Sequence, residues 1–151
     1  MAFRISTFID EIAMKHFALS EFTRSETAEK YRVNNEPPLE YVRNIECLVA
    51  IILDPLREVI GHPIYITSGY RSPRLNRLVG GSTTSAHMVG LAADFKVGDK
   101  DYLLDWAWCL LKSPSKEFRA KIDQCIYYRD KHFIHVSLPR EGKARNQFWM
   151  E

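Results

Sequence analysis

Long hydrophobic runs are missing from this chain. No apolar stretch approaches the roughly 20 residues that a membrane-spanning helix needs. A basic segment leading into an apolar run is also missing at the start (Met1, Ala2, Phe3, Arg4, Ile5, Ser6), so no secretory leader is read there. Cysteine is scarce: Cys47, Cys109 and Cys125 are odd in number and widely spaced, which excludes a disulfide framework, a zinc knuckle and a CxxC redox motif. They read as buried free thiols of a protein made in the cytoplasm. Charge of one sign is lacking too. Lys and Arg total 21 against 19 Asp and Glu, a net charge of +2, which argues against a dedicated nucleic-acid binder while leaving room for a local basic patch. Repeats and low-complexity segments are absent.

What is there reads as one ordinary globular domain, since 151 residues bury a working core without staples. A short helix is expected within the first 20 or so residues, followed by a polar, capping-rich stretch over 20–25. Asn34, Asn35, Glu36, Pro37 and Pro38 mark a loop. Val42, Ile45, Leu48, Val49, Ile52 and Leu53 then recur at three- and four-residue spacing, the signature of one buried helix face. Pro55 interrupts that helix, either as a kink or as the first residue of a second helix capped by Asp54, and Gly61 ends it. Strands are expected over 63–68, 92–97, 124–128 and 133–138, helices over 101–111 and through Lys121, and a polar tail over 139–151. Helices come first and strands pair through loops. The fold class is therefore α+β: a small, mostly antiparallel sheet packed by helices.

Two clusters carry candidate chemistry. His87 and Asp94 flank a small-residue turn at Gly90, Ala92 and Ala93, and His135 lies far downstream in His132-Phe133-Ile134-His135. Imidazole nitrogen and carboxylate oxygen both suit zinc, and three protein ligands leave a fourth position for water. On strands, alternate residues share a face. His135 and Ser137 then oppose Ile134, Val136 and Leu138, while Asp94 opposes Ala93, Phe95 and Val97, which puts each polar candidate on a strand with an apolar back. The second cluster is Ser68-Gly69-Tyr70-Arg71-Ser72-Pro73, where the forked, permanently charged Arg71 can grip a carboxylate or support an oxyanion. Tyr70, Tyr127 and Tyr128 are candidates to shape a groove, with at most one of the adjacent pair reaching it. Asp123 and Gln124 are candidates to orient a ligand imidazole, or else simply open a strand. His16 and His62 belong to no motif, and Trp106, Trp108 and Trp149 read as packing residues.

The order Ser-Gly-Tyr-Arg-Ser-Pro, Asn76, Val79-Gly80-Gly81-Ser82, Ser85-x-His87-x-x-Gly90-x-Ala92-x-Asp94, Asp123-Gln124 and Ile134-His135-Val136-Ser137 resembles the M15 family of zinc peptidases. More narrowly it is similar to the phage- and prophage-associated branch related to D-alanyl-D-alanine carboxypeptidases and peptidase endolysins. The likeness runs from about Phe17 to Ser137. It implies an M15/hedgehog-like fold with zinc (Zn2+) held by His87, Asp94 and His135, Arg71 facing the substrate, and Ser85 supporting the site by hydrogen bonding. It further implies hydrolysis of peptide bonds in peptidoglycan stem peptides, by a carboxypeptidase or an endopeptidase. In such enzymes the metal polarises the scissile carbonyl and acidifies the attacking water. A chain made in the cytoplasm would reach the wall through phage lysis or virion delivery.

One position departs from the family pattern. The carboxylate that usually stands three residues before the second histidine ligand, as general base, is His132 here. Asp130 is the only acid in the approach to His135. Three readings stand: His132 moves the proton itself, Asp130 swings in, or the chain is a zinc-binding wall-binding or structural module with little turnover.

Overall fold

The computed structural model describes residues 14–114 and 117–151. The expected helix near the N-terminus lies partly outside them. Residues 14–18 are not helical, and α1 (Leu19–Thr23) instead occupies most of the stretch expected to be a polar connection; Ser25 caps a second short helix, α2 (Glu26–Lys30), by accepting the Ala28 N–H at 3.2 Å. Only Arg24 and Ser25 of the capping-rich stretch lie between the two helices, and α2 has too few apolar residues to announce itself by periodicity.

The long amphipathic helix is present as α3 (Leu39–Leu48) and α4 (Asp54–Ile60), joined without a break by a π-helical turn over Val49–Leu53. Pro55 is tolerated because this turn loosens the backbone just ahead of a residue that cannot donate. Asp54 is not a cap. Its carboxylate accepts the backbone N–H groups of Lys15 (2.8 Å) and His16 (3.0 Å), tying the incoming chain to the helix. Gly61 ends α4 in the left-handed conformation, φ 69°.

The sheet has five strands in the order β1-β2-β4-β3-β5, with β1 (Ile64–Ser68), β2 (Ala92–Val97), β3 (Gln124–Tyr128), β4 (Phe133–Ser137) and β5 (Gln147–Met150). The first three pairings are antiparallel, and β5 lies parallel to β3. Thus the polar tail ends in an edge strand, which alternation alone does not reveal because only Phe148 packs on the core. Between β1 and β2 lie α5 (Pro73–Leu78) and a 3-10 turn over Ala86–Val89. The helix α6 (Asp101–Lys112) follows β2, and the helix expected through Lys121 is described as a 3-10 turn, Arg119–Lys121.

Helices cover one face of the sheet. Ala93 and Phe95 of β2, Ile134 and Val136 of β4, and Cys125 and Tyr127 of β3 join Leu48, Ile52, Leu53 and Leu56 of the long helix and Leu103, Leu104 and Leu111 of α6 in one core. The other face keeps the polar residues, as two-residue periodicity requires. Of the three thiols only Cys125 is buried, while Cys47 and Cys109 are exposed because each falls on the outer side of its helix. Trp108 is a core residue, whereas Trp106 and Trp149 are largely exposed. His16 sits 3.4 Å from Glu58, and His62 is on the surface.

Candidate metal centre

Asp94 and His135 are direct cross-strand partners in the β2–β4 register. A β-bulge between Ile66 and Ser68 brings Ser68 opposite Asp94 from the other side. His87 arrives from the 3-10 turn, whose start is capped by Ser85 as its hydroxyl accepts the His87 N–H at 3.2 Å. The turn closes at Gly90, φ 74°, where a Cβ would lie 2.5 Å from the Tyr41 carbonyl oxygen. Expected in sequence as neighbours of a metal, these three residues do converge: one ligand atom from each of His87, Asp94 and His135 lies within 4.8 Å of the others.

The geometry places a proton on His87 Nδ1. His87 is 2% exposed, and its Nδ1 lies 2.7 Å from the Gly69 carbonyl oxygen. A carbonyl only accepts, so Nδ1 carries the proton and a neutral His87 directs its Nε2 lone pair at Asp94 Oδ1, 3.2 Å away. Burial pushes the His87 pKa down, favouring that neutral form, although Asp94 pulls the other way. Asp94 is itself buried, which opposes its charge, yet His87 and His135 hold its carboxyl well below the usual range. A lone pair facing a carboxylate oxygen is repulsive unless a cation sits between them. His135 presents Nδ1 to the same oxygen at 2.8 Å. For a tetrahedral zinc with bonds of about 2.0–2.1 Å, ligand atoms stand roughly 3.3 Å apart, which matches the His87–Asp94 separation, while the His135–Asp94 contact at 2.8 Å would have to open slightly around the ion. The donor set fits such an ion.

Arg71 forms the adjoining wall and is pinned. Its Nε donates to Ser68 Oγ (3.3 Å) and its Nη1 to Asn76 Oδ1 (3.0 Å), with Nη2 3.9 Å from Asp94 Oδ2. Asn76 is in turn anchored to the Ser82 carbonyl at 2.9 Å. The backbone N–H of Arg71 also donates to the His87 carbonyl at 3.0 Å, which couples the two clusters directly. Gly69 is required at this junction, since a Cβ there would meet the Phe22 backbone at 2.5 Å.

An open cleft of about 1010 Å³ passes over the His87, Asp94 and His135 side chains. A second cavity of about 640 Å³ lies on the other side of Arg71 and Asp94, bordered by Tyr70 and the α2 residues Glu26 and Glu29. Tyr128 lines the first cleft, and Tyr127 turns to the core, where its hydroxyl meets Asp105 at 2.5 Å. Asp123 and Gln124 also border the cleft, but the Asp123 carboxylate is taken up by the backbone and guanidinium of Arg145 (2.7–3.1 Å), and Gln124 bonds Gln147. His132 and Asp130 are not brought to the centre. The β3–β4 turn puts His132 at φ 56° with its side chain 56% exposed and 3.5 Å from Asp101 at the start of α6, and neither residue borders the cleft. Ser68, Gly69, Asn76 and Arg140 belong to the site's support but carry no metal-ligand signal in sequence. Glycine and asparagine flanking Arg71 were the available clue.

No curated protein matches the chain at a significant level. A family model described as peptidase M15 matches residues 15–137, a span that contains every side chain of the His-Asp-His group and Arg71. The chain belongs to the M15 peptidase family.

Proposed function

We propose that this protein is a zinc-dependent peptidase that hydrolyses peptide bonds in peptidoglycan stem peptides, with His87, Asp94 and His135 as the zinc ligands. The observation that carries the reading is the contact between the His87 Nε2 lone pair and the Asp94 carboxylate, which a cation reconciles. Zinc bound there supplies Lewis-acid polarisation of the scissile carbonyl and an acidified water. The chain's own residues do the rest. The Gly69 carbonyl holds the His87 tautomer. Arg71, locked on Ser68 and Asn76, presents its remaining N–H groups to a substrate carboxylate or to the developing oxyanion. Burial, with Glu151 and Asp94, raises the Tyr128 pKa against the influence of Arg71, so this hydroxyl remains a donor within the cleft.

A second reading, a zinc-binding module of the cell wall with little turnover, is favoured by one observation: His132, standing where the usual carboxylate would be, is directed to Asp101. Digestion of purified muropeptides by zinc-loaded protein, followed by mass spectrometry, separates the two. A shortened stem peptide supports the peptidase. Intact muropeptides in the presence of bound zinc support the module.

A further inference from the structure

The family match stops at Ser137, yet the next residues build one side of the cleft: Leu138, Pro139, Arg140, Glu141, Lys143 and Arg145 all border it. This wall is anchored along its length. The Leu138 N–H donates to the Leu91 carbonyl (2.9 Å), and Arg140 Nη2 donates to the Thr84 and Ser85 carbonyls (2.9 and 3.0 Å), directly before the His87 turn. Arg145 forks onto Asp123, and Asn146 Nδ2 donates to the Arg119 and Ile122 carbonyls (2.7 and 3.1 Å) before β5 closes the sheet edge.

Charge on this wall is one-sided. Among the cleft residues Arg71 is opposed by Asp94 and Arg145 by Asp123, which leaves Lys131, Arg140 and Lys143 facing the single acid Glu141. Arg140 rests on carbonyls rather than on an acid, and Lys131 Nζ stands over the Tyr128 ring at 5.7 Å from its centroid. A near-neutral chain thus concentrates positive charge beside its proposed reaction centre.

We infer that residues 138–145 form a specificity wall that, with Lys131, binds a carboxylate-bearing part of the peptide substrate. The inference rests on the peptidase reading for the identity of the ligand but not for its charge. An open wall with a net positive charge favours the complementary charge, and the preference weakens as salt screens it.

The test is equilibrium binding by calorimetry to the full chain. Two synthetic stem-type peptides ending in D-alanyl-D-alanine are compared, one with glutamate and one with glutamine at the second residue. At about 50 mM salt the glutamate peptide is expected to bind roughly tenfold more tightly, with the ratio shrinking toward one near 1 M salt. The double variant Lys131→Glu/Lys143→Glu should lose or reverse that ratio, and Lys131→Gln/Lys143→Gln should reduce it. Both lysines are exposed, so the fold is not at stake. Equal binding of the two peptides, no binding of either, or a preference that survives both double variants would overturn the inference. A charge preference without cleavage would support the wall while removing the peptidase reading.

Discussion

Asp94 and His135 face each other across β2 and β4 with 2.8 Å between carboxylate oxygen and Nδ1. Their pairing is a consequence of register: a one-residue slip would turn one of them into the core. Ala93, Phe95, Ile134 and Val136, all fully buried, hold that register from behind. The proposed ligand pair therefore inherits its precision from the core.

Loss of a ligand should remove the metal while sparing the fold. His87→Ala and Asp94→Ala are expected to bind zinc at least about 100-fold more weakly than wild type, a lower bound set by the 10–100-fold cost of losing a supporting partner. Competition with a chromophoric chelator reads this, with circular dichroism beside it. Unchanged affinity in either variant would move the site elsewhere.

Tyr128 and His132 should part company. Tyr128→Phe is expected to lower kcat by about tenfold or more, as for a donor acting on developing charge. His132→Ala, whose imidazole is aimed at Asp101, should stay within about twofold, the range of surface changes of ~0.5 kcal/mol. Stem-peptide hydrolysis kinetics decide, and the reverse order would make His132 the proton-transfer group.

Gly69→Ala should destabilise the protein by about 1–3 kcal/mol, the usual range for overpacking. Its Cβ would meet the Phe22 backbone at 2.5 Å, where no flexible side-chain tip can give way. Urea denaturation measures the loss. The same variant should weaken zinc binding, because the Gly69 carbonyl holds His87.

The Asp123–Arg145 pair gives a pH dependence away from the metal. Arg145 lowers the Asp123 pKa from the ordinary 3.8. Its contribution is therefore present above about 3.8 and lost as pH falls through the lower folded value. Asp123→Asn should melt below wild type at pH 7, and the gap in Tm should narrow as pH falls below 3.8. A gap independent of pH would show that the carboxylate's charge plays no part.

Much of this arrangement was legible in the sequence because it follows short periods. The strands at 92–97 and 124–128, the buried face of the long helix and the outward side of Asp94 and His135 all come from two- and 3.6-residue repeats. Motif order placed His87 with them. What stayed hidden depends on distant partners. Asp54 reads as a cap until Lys15 and His16 claim it, and β5 has no apolar alternation. The polar tail becomes a cleft wall only once Asp123 and the Thr84 and Ser85 carbonyls hold it. His132 precedes His135 by three residues, but a left-handed turn sends it toward Asp101.

The most direct measurement is stem-peptide hydrolysis by metal-stripped protein as zinc is added back, with bound zinc counted in the same samples. Zinc-dependent hydrolysis at this site requires that activity rise in step with occupancy, saturate at about one zinc per chain as a single three-ligand site dictates, and be missing from His87→Ala. One bound zinc per chain with muropeptides left intact would contradict it.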